Sequence, residues 1–279
     1  MSSYSYYDFY AIDQPLTPAQ RKEIDGYSSR STPSSRRASF EYHYGSFKYE
    51  PKQVLLDHFD MALYASSYGQ YQLMIKLPAD MVDFRALRAY EITGKGDYWC
   101  VVSIKRHEPW VLVDLNFSTE YHEWMEAEGW LDDLIPLRAQ LLKGDYRLLY
   151  LAWLHLADSE LPAEAEWEEP PVPAGLGSLD PALLAFQEFW SIDDSLIAAA
   201  AEQSAAPTEN PDLTLQLAQL SEAEKDHFLA LCLAEESKAG LQLRRRLQDL
   251  SPQTKVYTTS RRNLSALRTL RDRYQANAN

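Results

Sequence analysis

Between Tyr98 and Leu115 the chain alternates. Tyr98, Cys100, Val102 and Ile104 fall on one side, Trp99, Val101 and Ser103 on the other, and Val111, Val113 and Leu115 resume the pattern after Arg106-His107-Glu108-Pro109. A period of two places successive side chains on opposite faces of a strand. Parallel neighbours need a crossover of a dozen or more residues, so two strands joined by so short a connection must be antiparallel. This pair argues against a doubly wound parallel sheet. It predicts an α+β fold: an antiparallel-containing sheet with helices in the N-terminal half, followed by an all-helical C-terminal part.

The surrounding residues extend that reading. Tyr4 to Ile12 opens with alternating aromatics and predicts a strand or an extended arm. Thr17-Pro18-Ala19-Gln20 marks a helix start, because Thr caps, Pro suits the first helical position and Gln closes a capping box. Gly26 ends that helix, and a Ser-, Arg- and Pro-rich loop runs from Tyr27 to Ser39. Strands are expected at Phe40 to Tyr44, Met61 to Ala65 and Tyr71 to Leu77, with helices at Pro51 to Phe59 and Asp80 to Leu87. Leu131, Leu134, Ile135, Leu141 and Leu142 share one helical face, and Gly144 stops that helix. Tyr146 to Ala157 is apolar almost all round. Its most hydrophobic part is about half the ~20 residues that span a bilayer, so it belongs in a core and no membrane contact is expected.

The segment from Glu160 to Gly177, with Glu168-Glu169-Pro170-Pro171-Val172-Pro173, is the best boundary candidate. It divides the chain into an α+β domain over 1–160, an acidic Pro-rich linker over 161–178 and a helical domain over 179–279. Beyond it no strand is expected. Helices are read at Ala182 to Trp190, at Asp194 to Gln203, from the capping box Ser221-Glu222-Ala223-Glu224 towards Leu250, and along Leu264, Leu267, Leu270 and Tyr274.

Charge is distributed unevenly. Residues 114–236 hold 26 acids against 4 bases, a net of −22, while residues 237–279 hold 2 acids against 10 bases, a net of +8. The C-terminal arm therefore offers a candidate contact for an anionic partner: Arg244, Arg245, Arg246, Arg261, Arg262, Arg268, Arg271 and Arg273, with Lys255 beside them. Arginines on amphipathic helices can neutralise phosphates. They pair equally well with carboxylates, and the acidic body would repel nucleic acid, so pairing with the body or with an acidic protein is the stronger reading. Cys100 and Cys232 form neither a disulfide framework nor a metal-ligand spacing, and the N-terminus lacks the pattern of a secretory signal. These features point to a reducing, cytoplasmic setting.

Four stretches carry a resemblance: Tyr7-Asp8-Phe9-Tyr10-Ala11-Ile12-Asp13-Gln14-Pro15-Leu16-Thr17, Gly129-Trp130-Leu131 with Leu134-Ile135-Pro136-Leu137-Arg138, Leu149-Tyr150-Leu151-Ala152-Trp153-Leu154, and Glu169-Pro170-Pro171-Val172-Pro173. Together, over about the first two-thirds of the chain, they resemble a family of uncharacterised bacterial proteins. The resemblance implies a bacterial cytosolic origin and carries no activity.

No local motif amounts to an active site. His122-Glu123 with Glu126 reads as solvated helix surface rather than ligands. In Asp57-His58 with Asp60, adjacent helical residues point apart, which weakens a base-orienting role. Thr93-Gly94-Lys95-Gly96-Asp97 precedes a strand and so lacks the helix N-terminus of a phosphate cradle. Arg36-Arg37-Ala38-Ser39 fits a basic-directed phosphorylation motif, but a plain loop explains it better. Tyr42, Tyr44, Phe47 and Tyr49, with Tyr64, Tyr68 and Tyr71, could form a stacking platform, although packing is the simpler account. The expected function is a non-catalytic protein-interaction or adaptor protein without cofactor or metal. The alternatives are a nucleic-acid-associated protein using the basic arm and an enzyme with a site assembled from dispersed residues.

Overall fold

A computed structural model describes residues 4–28, 33–45, 47–92, 101–118, 127–159, 167–207, 213–234, 239–250, 257–258 and 262–278. The elements are β1 (Tyr4–Tyr10), α1 (Pro18–Asp25), β2 (Arg37–His43), α2 (Pro51–His58), β3 (Met61–Ser66), β4 (Gln70–Pro78), α3 (Phe84–Arg88), β5 (Val101–His107), β6 (Trp110–Ser118), α4 (Trp130–Leu142) and α5 (Arg147–Ser159). There follow β7 (Val172–Pro173), α6 (Pro181–Phe189), α7 (Asp194–Ala201), α8 (Leu213–Ala218), α9 (Glu222–Leu233), α10 (Ala239–Leu250), β8 (Tyr257–Thr258) and α11 (Leu264–Ala278).

The first six strands form one sheet in the order β2-β1-β3-β4-β6-β5, with every neighbouring pair antiparallel. The β5–β6 hairpin places Val102 opposite Leu115 and Ile104 opposite Val113. Alternation gives the sheet two apolar faces. Leu63, Leu73, Ile75, Val113 and Phe117 belong to a large core with α4, α5 and α6, whereas Phe9, Phe40, Ala62, Met74 and Leu112 meet Ile24 of α1 and Val54 and Leu55 of α2.

Helix α5 is buried on all sides, from Leu148 to Ala157 with only His155 partly open, and Trp153 is 3% exposed. Its composition dictates this position: each fully buried Leu contributes about 1.5–3 kcal/mol, and no face of the helix can satisfy water. The same core takes in Phe186, Phe189, Ile192, Leu196, Leu264 and Leu267, so the sheet and the C-terminal helices share it. From Trp167 onward the acidic Pro-rich stretch runs against this core: Trp167 packs on it, and Glu169, Val172 and Leu176 are buried.

Several local expectations change. The strand read from Phe40 begins at Arg37 because Arg37 and Ser39 bind Asp8 of β1. The helix read over 80–87 is a single turn at Ala79–Met81 followed by α3, restarted where Asp83 caps Ala86. Past residue 178 the elements among the described residues are helices except for β8, a two-residue strand that pairs with β7 in the Pro-rich stretch. The helix read from Ser221 to Leu250 is two helices, α9 and α10, and α8 was not foreseen. Both capping boxes, Thr17 with Gln20 and Ser221 with Glu224, are formed.

Candidate functional site

Most of the C-terminal arginines meet carboxylates or helix ends of the protein itself. Arg262 binds Glu169 through two parallel contacts, Nε to Oε2 at 2.8 Å and Nη2 to Oε1 at 2.9 Å. Its Nη1 donates to the Ala199 carbonyl at 2.8 Å, satisfying one of the last carbonyls of α7. Glu169 is fully buried and also accepts from the Tyr150 hydroxyl. Burial, then the Glu169 charge, pushes the Tyr150 hydroxyl well above its ordinary pKa, which keeps it a neutral donor.

Arg268 donates to the Ala157 and Asp158 carbonyls at the end of α5, and Arg271 pairs with the Asp158 side chain. Arg246 reaches Glu224 at 2.6 Å, joining α10 to the capping box of α9, and Arg245 reaches Asp80. Glu224 sits at about 2, held down first by the Ser221 hydroxyl and also by Arg246. Arg244 and Arg273 are exposed and make no ion pair among the described residues. Arg261 and Lys255 lie outside them, as do His122, Glu123, Glu126 and the Thr93–Asp97 loop.

Residues of the other sequence candidates have structural contacts. The Arg36 guanidinium binds the carbonyls of Ala11 and Ile12, Arg37 bridges Asp8 and Asp132, and Ser39 donates to Asp8. Tyr7, Tyr27, Tyr42 and Tyr49 gather around the buried Phe47, while Tyr44 and Tyr68 are exposed. The His58 ring turns its Nε2 to the Tyr27 hydroxyl at 3.3 Å and to Glu23 at 3.4 Å rather than to Asp57 or Asp60. Among the described residues, His58 Nδ1 is buried without a hydrogen-bond partner.

A buried charge network that sequence reasoning missed lies beneath the strand ends. Asp60, at the start of β3, accepts the backbone N–H groups of Ile12 and Asp13 at 2.7 and 2.8 Å. Arg138 of α4, 2% exposed, holds Asp13 with both Nη atoms at 2.8 and 2.6 Å and donates from Nε to the Lys76 carbonyl. The Lys76 ammonium lies 3.5 Å from Asp60 and 3.4 and 3.3 Å from the carbonyls of Leu55 and Leu56, and 4.9 Å from the Trp110 ring centre. It thereby faces the negative end of α2. Burial lowers its pKa, against the pull of Asp60. The one available signal was four charged residues in otherwise apolar surroundings, and their side chains converge only through the fold.

Above Lys76 opens a cleft of about 690 Å³ formed by the β1–α1 loop, the end of α2, the β5–β6 turn and α10. No group of three or more His, Cys, Asp or Glu among the described residues is arranged to hold a metal. Nor does any described helix have the length and apolarity to cross a membrane.

On the outer surface, α8 and α9 bury none of their own residues. Leu213, Leu215, Leu229 and Leu233 are 59%, 66%, 62% and 86% exposed. The apolar face read at Phe228, Leu231 and Cys232 is only partly covered, and among the described elements α9 packs chiefly on α10. No family model, curated protein or solved structure matches the chain.

Proposed function

We propose that this is a non-catalytic interaction protein of the bacterial cytoplasm that docks a basic amphipathic helix of a partner protein on α9. The observation that carries the reading is the stripe Glu222, Asp226, Leu229 and Leu233. Residues separated by four, seven and eleven positions share one helical face. Leu229 and Leu233 stand open on it beside the exposed Asp226, and Glu222, 86% exposed at its side chain, is paired with Lys225 at 2.8 Å in a surface contact that a partner's cation can replace. An apolar row ending in acids suits a helix that presents leucines beside lysines or arginines. A second copy of the same face would bring two more acids and one lysine, so its charge complements the stripe less well than a basic helix does.

The arginine contacts favour this reading over nucleic-acid association. A phosphate backbone would have to displace carboxylates already seated on Arg246, Arg262 and Arg271.

The test is fluorescence anisotropy of two synthetic helical peptides, one with a Leu/Lys face and one with a Leu/Glu face, against the full chain and a Leu229→Ser/Leu233→Ser variant. The expected result is binding of the basic peptide alone, weakened at least about tenfold by the variant. Equal binding to the variant would reduce the interaction to unspecific attraction by an acidic protein and overturn the proposal.

A further inference from the structure

We infer that the cleft above Lys76 binds a small carboxylate carrying a flat apolar body of one or two rings. This goes beyond the docking surface on α9, whose residues do not line the cleft.

The inference starts from the ammonium. Lys76 is 6% exposed, and its three oxygen contacts all lie at 3.3–3.5 Å. Charge-assisted N–H···O bonds close to about 2.7–2.9 Å, so this buried cation is held by acceptors that none of its donors reaches well. A buried charge with loose partners is costly, and an additional carboxylate oxygen lowers that cost. Five acids line the cleft, and each has a partner: Asp13 is held by Arg138, Asp60 by two backbone N–H groups and Lys76, Asp57 by the Gln53 amide, Asp80 by Arg245 and Glu108 by Arg106.

The walls supply the rest of the ligand's outline. Leu56, Pro78, Met81, Trp110 and Leu241 line the cleft. A volume near 690 Å³ falls within the usual span of small-molecule sites. At the mouth, the ion pairs of Arg106 and Arg245 among the described residues are with the exposed acids Glu108 and Asp80. Exposed pairs of this kind are weak, so both guanidinium groups can turn towards an entering anion. The cleft thus has a cation at its floor, an apolar wall and two cations at its mouth that can be released.

Isothermal titration of the full chain with indole-3-acetate, the matching amide and the matching amine tests the assignment. The expected result is sub-millimolar affinity for the acid and at least about tenfold weaker binding of the other two. Lys76→Met should lose at least about tenfold of the affinity for the acid. Because that substitution leaves Asp60 short of a partner and can impair folding, Gln242→Glu is a second probe. It puts a negative charge on an exposed cleft residue and should weaken binding of the acid about threefold at low salt. Preference for the amine, equal binding of acid and amide, no binding of the acid at millimolar concentration, or unchanged affinity in Gln242→Glu would each overturn the inference.

Discussion

Replacing Arg262 by Met should remove a large part of the protein's stability. Glu169 has no solvent exposure and Arg262 only 8% at its side chain, so the substitution strands a carboxylate in the core with the Tyr150 hydroxyl as its remaining side-chain partner. Breaking a buried pair from one side costs about 3–5 kcal/mol. The Ala199 carbonyl loses its donor as well, which adds about 1 kcal/mol and places the loss near the top of that range. Against a typical total of about 5–15 kcal/mol, this is a third or more. Urea unfolding followed by both far-ultraviolet circular dichroism and tryptophan fluorescence measures it, with coincident transitions confirming a single cooperative step. If the stranded charge is the cause, Arg262→Met/Glu169→Leu/Tyr150→Phe should recover much of the loss, since no buried polar group of the triad is left unpaired. A loss under about 1 kcal/mol, or a triple variant no more stable than the single one, would refute the reasoning.

Two further outcomes follow from burial. The His155 ring packs edge-on against Phe117 and titrates at about 4 because burial disfavours its charged form, opposed by Asp158. The unfolded chain takes up this proton near pH 6.5, so the contribution is complete above that pH. It is lost as pH falls to about 4, a span worth about 3 kcal/mol that His155→Phe should remove from a stability-against-pH curve. Trp153→Ala should cost about 3–5 kcal/mol in urea unfolding through the cavity it leaves in α5, and a cost under 1 kcal/mol would show that the neighbouring chain collapses into the space.

The legible parts of the fold are those in which one local pattern decides. Val102, Ile104, Val113 and Leu115 announce the hairpin, Thr17 and Ser221 announce their helices through capping boxes, and the all-round apolarity of Leu148 to Leu156 announces its burial. The misread parts depend on partners far along the chain. Arg37 joins a strand because Asp8 is there to receive it, and β8 exists because β7 offers an edge. The cleft was invisible for the same reason. Asp13, Asp60, Lys76 and Arg138 have no common spacing, and only the return of β4 beneath the β1–α1 loop and the placement of α4 bring them together.

The shared core also sets a timetable for biosynthesis. All six strands of the large sheet lie between Tyr4 and Ser118 and pair with neighbours in simple antiparallel order, so they can form while the ribosome is still at work. Arg262, which seals Glu169 and the end of α7, emerges later by an interval on the order of ten seconds or more at ordinary elongation rates. Until then the nascent chain carries an uncompensated carboxylate and part of an apolar surface destined for α11. A chain cut short before Arg262 would keep the sheet but lack both the partner of Glu169 and the Leu264 and Leu267 side chains that close the core.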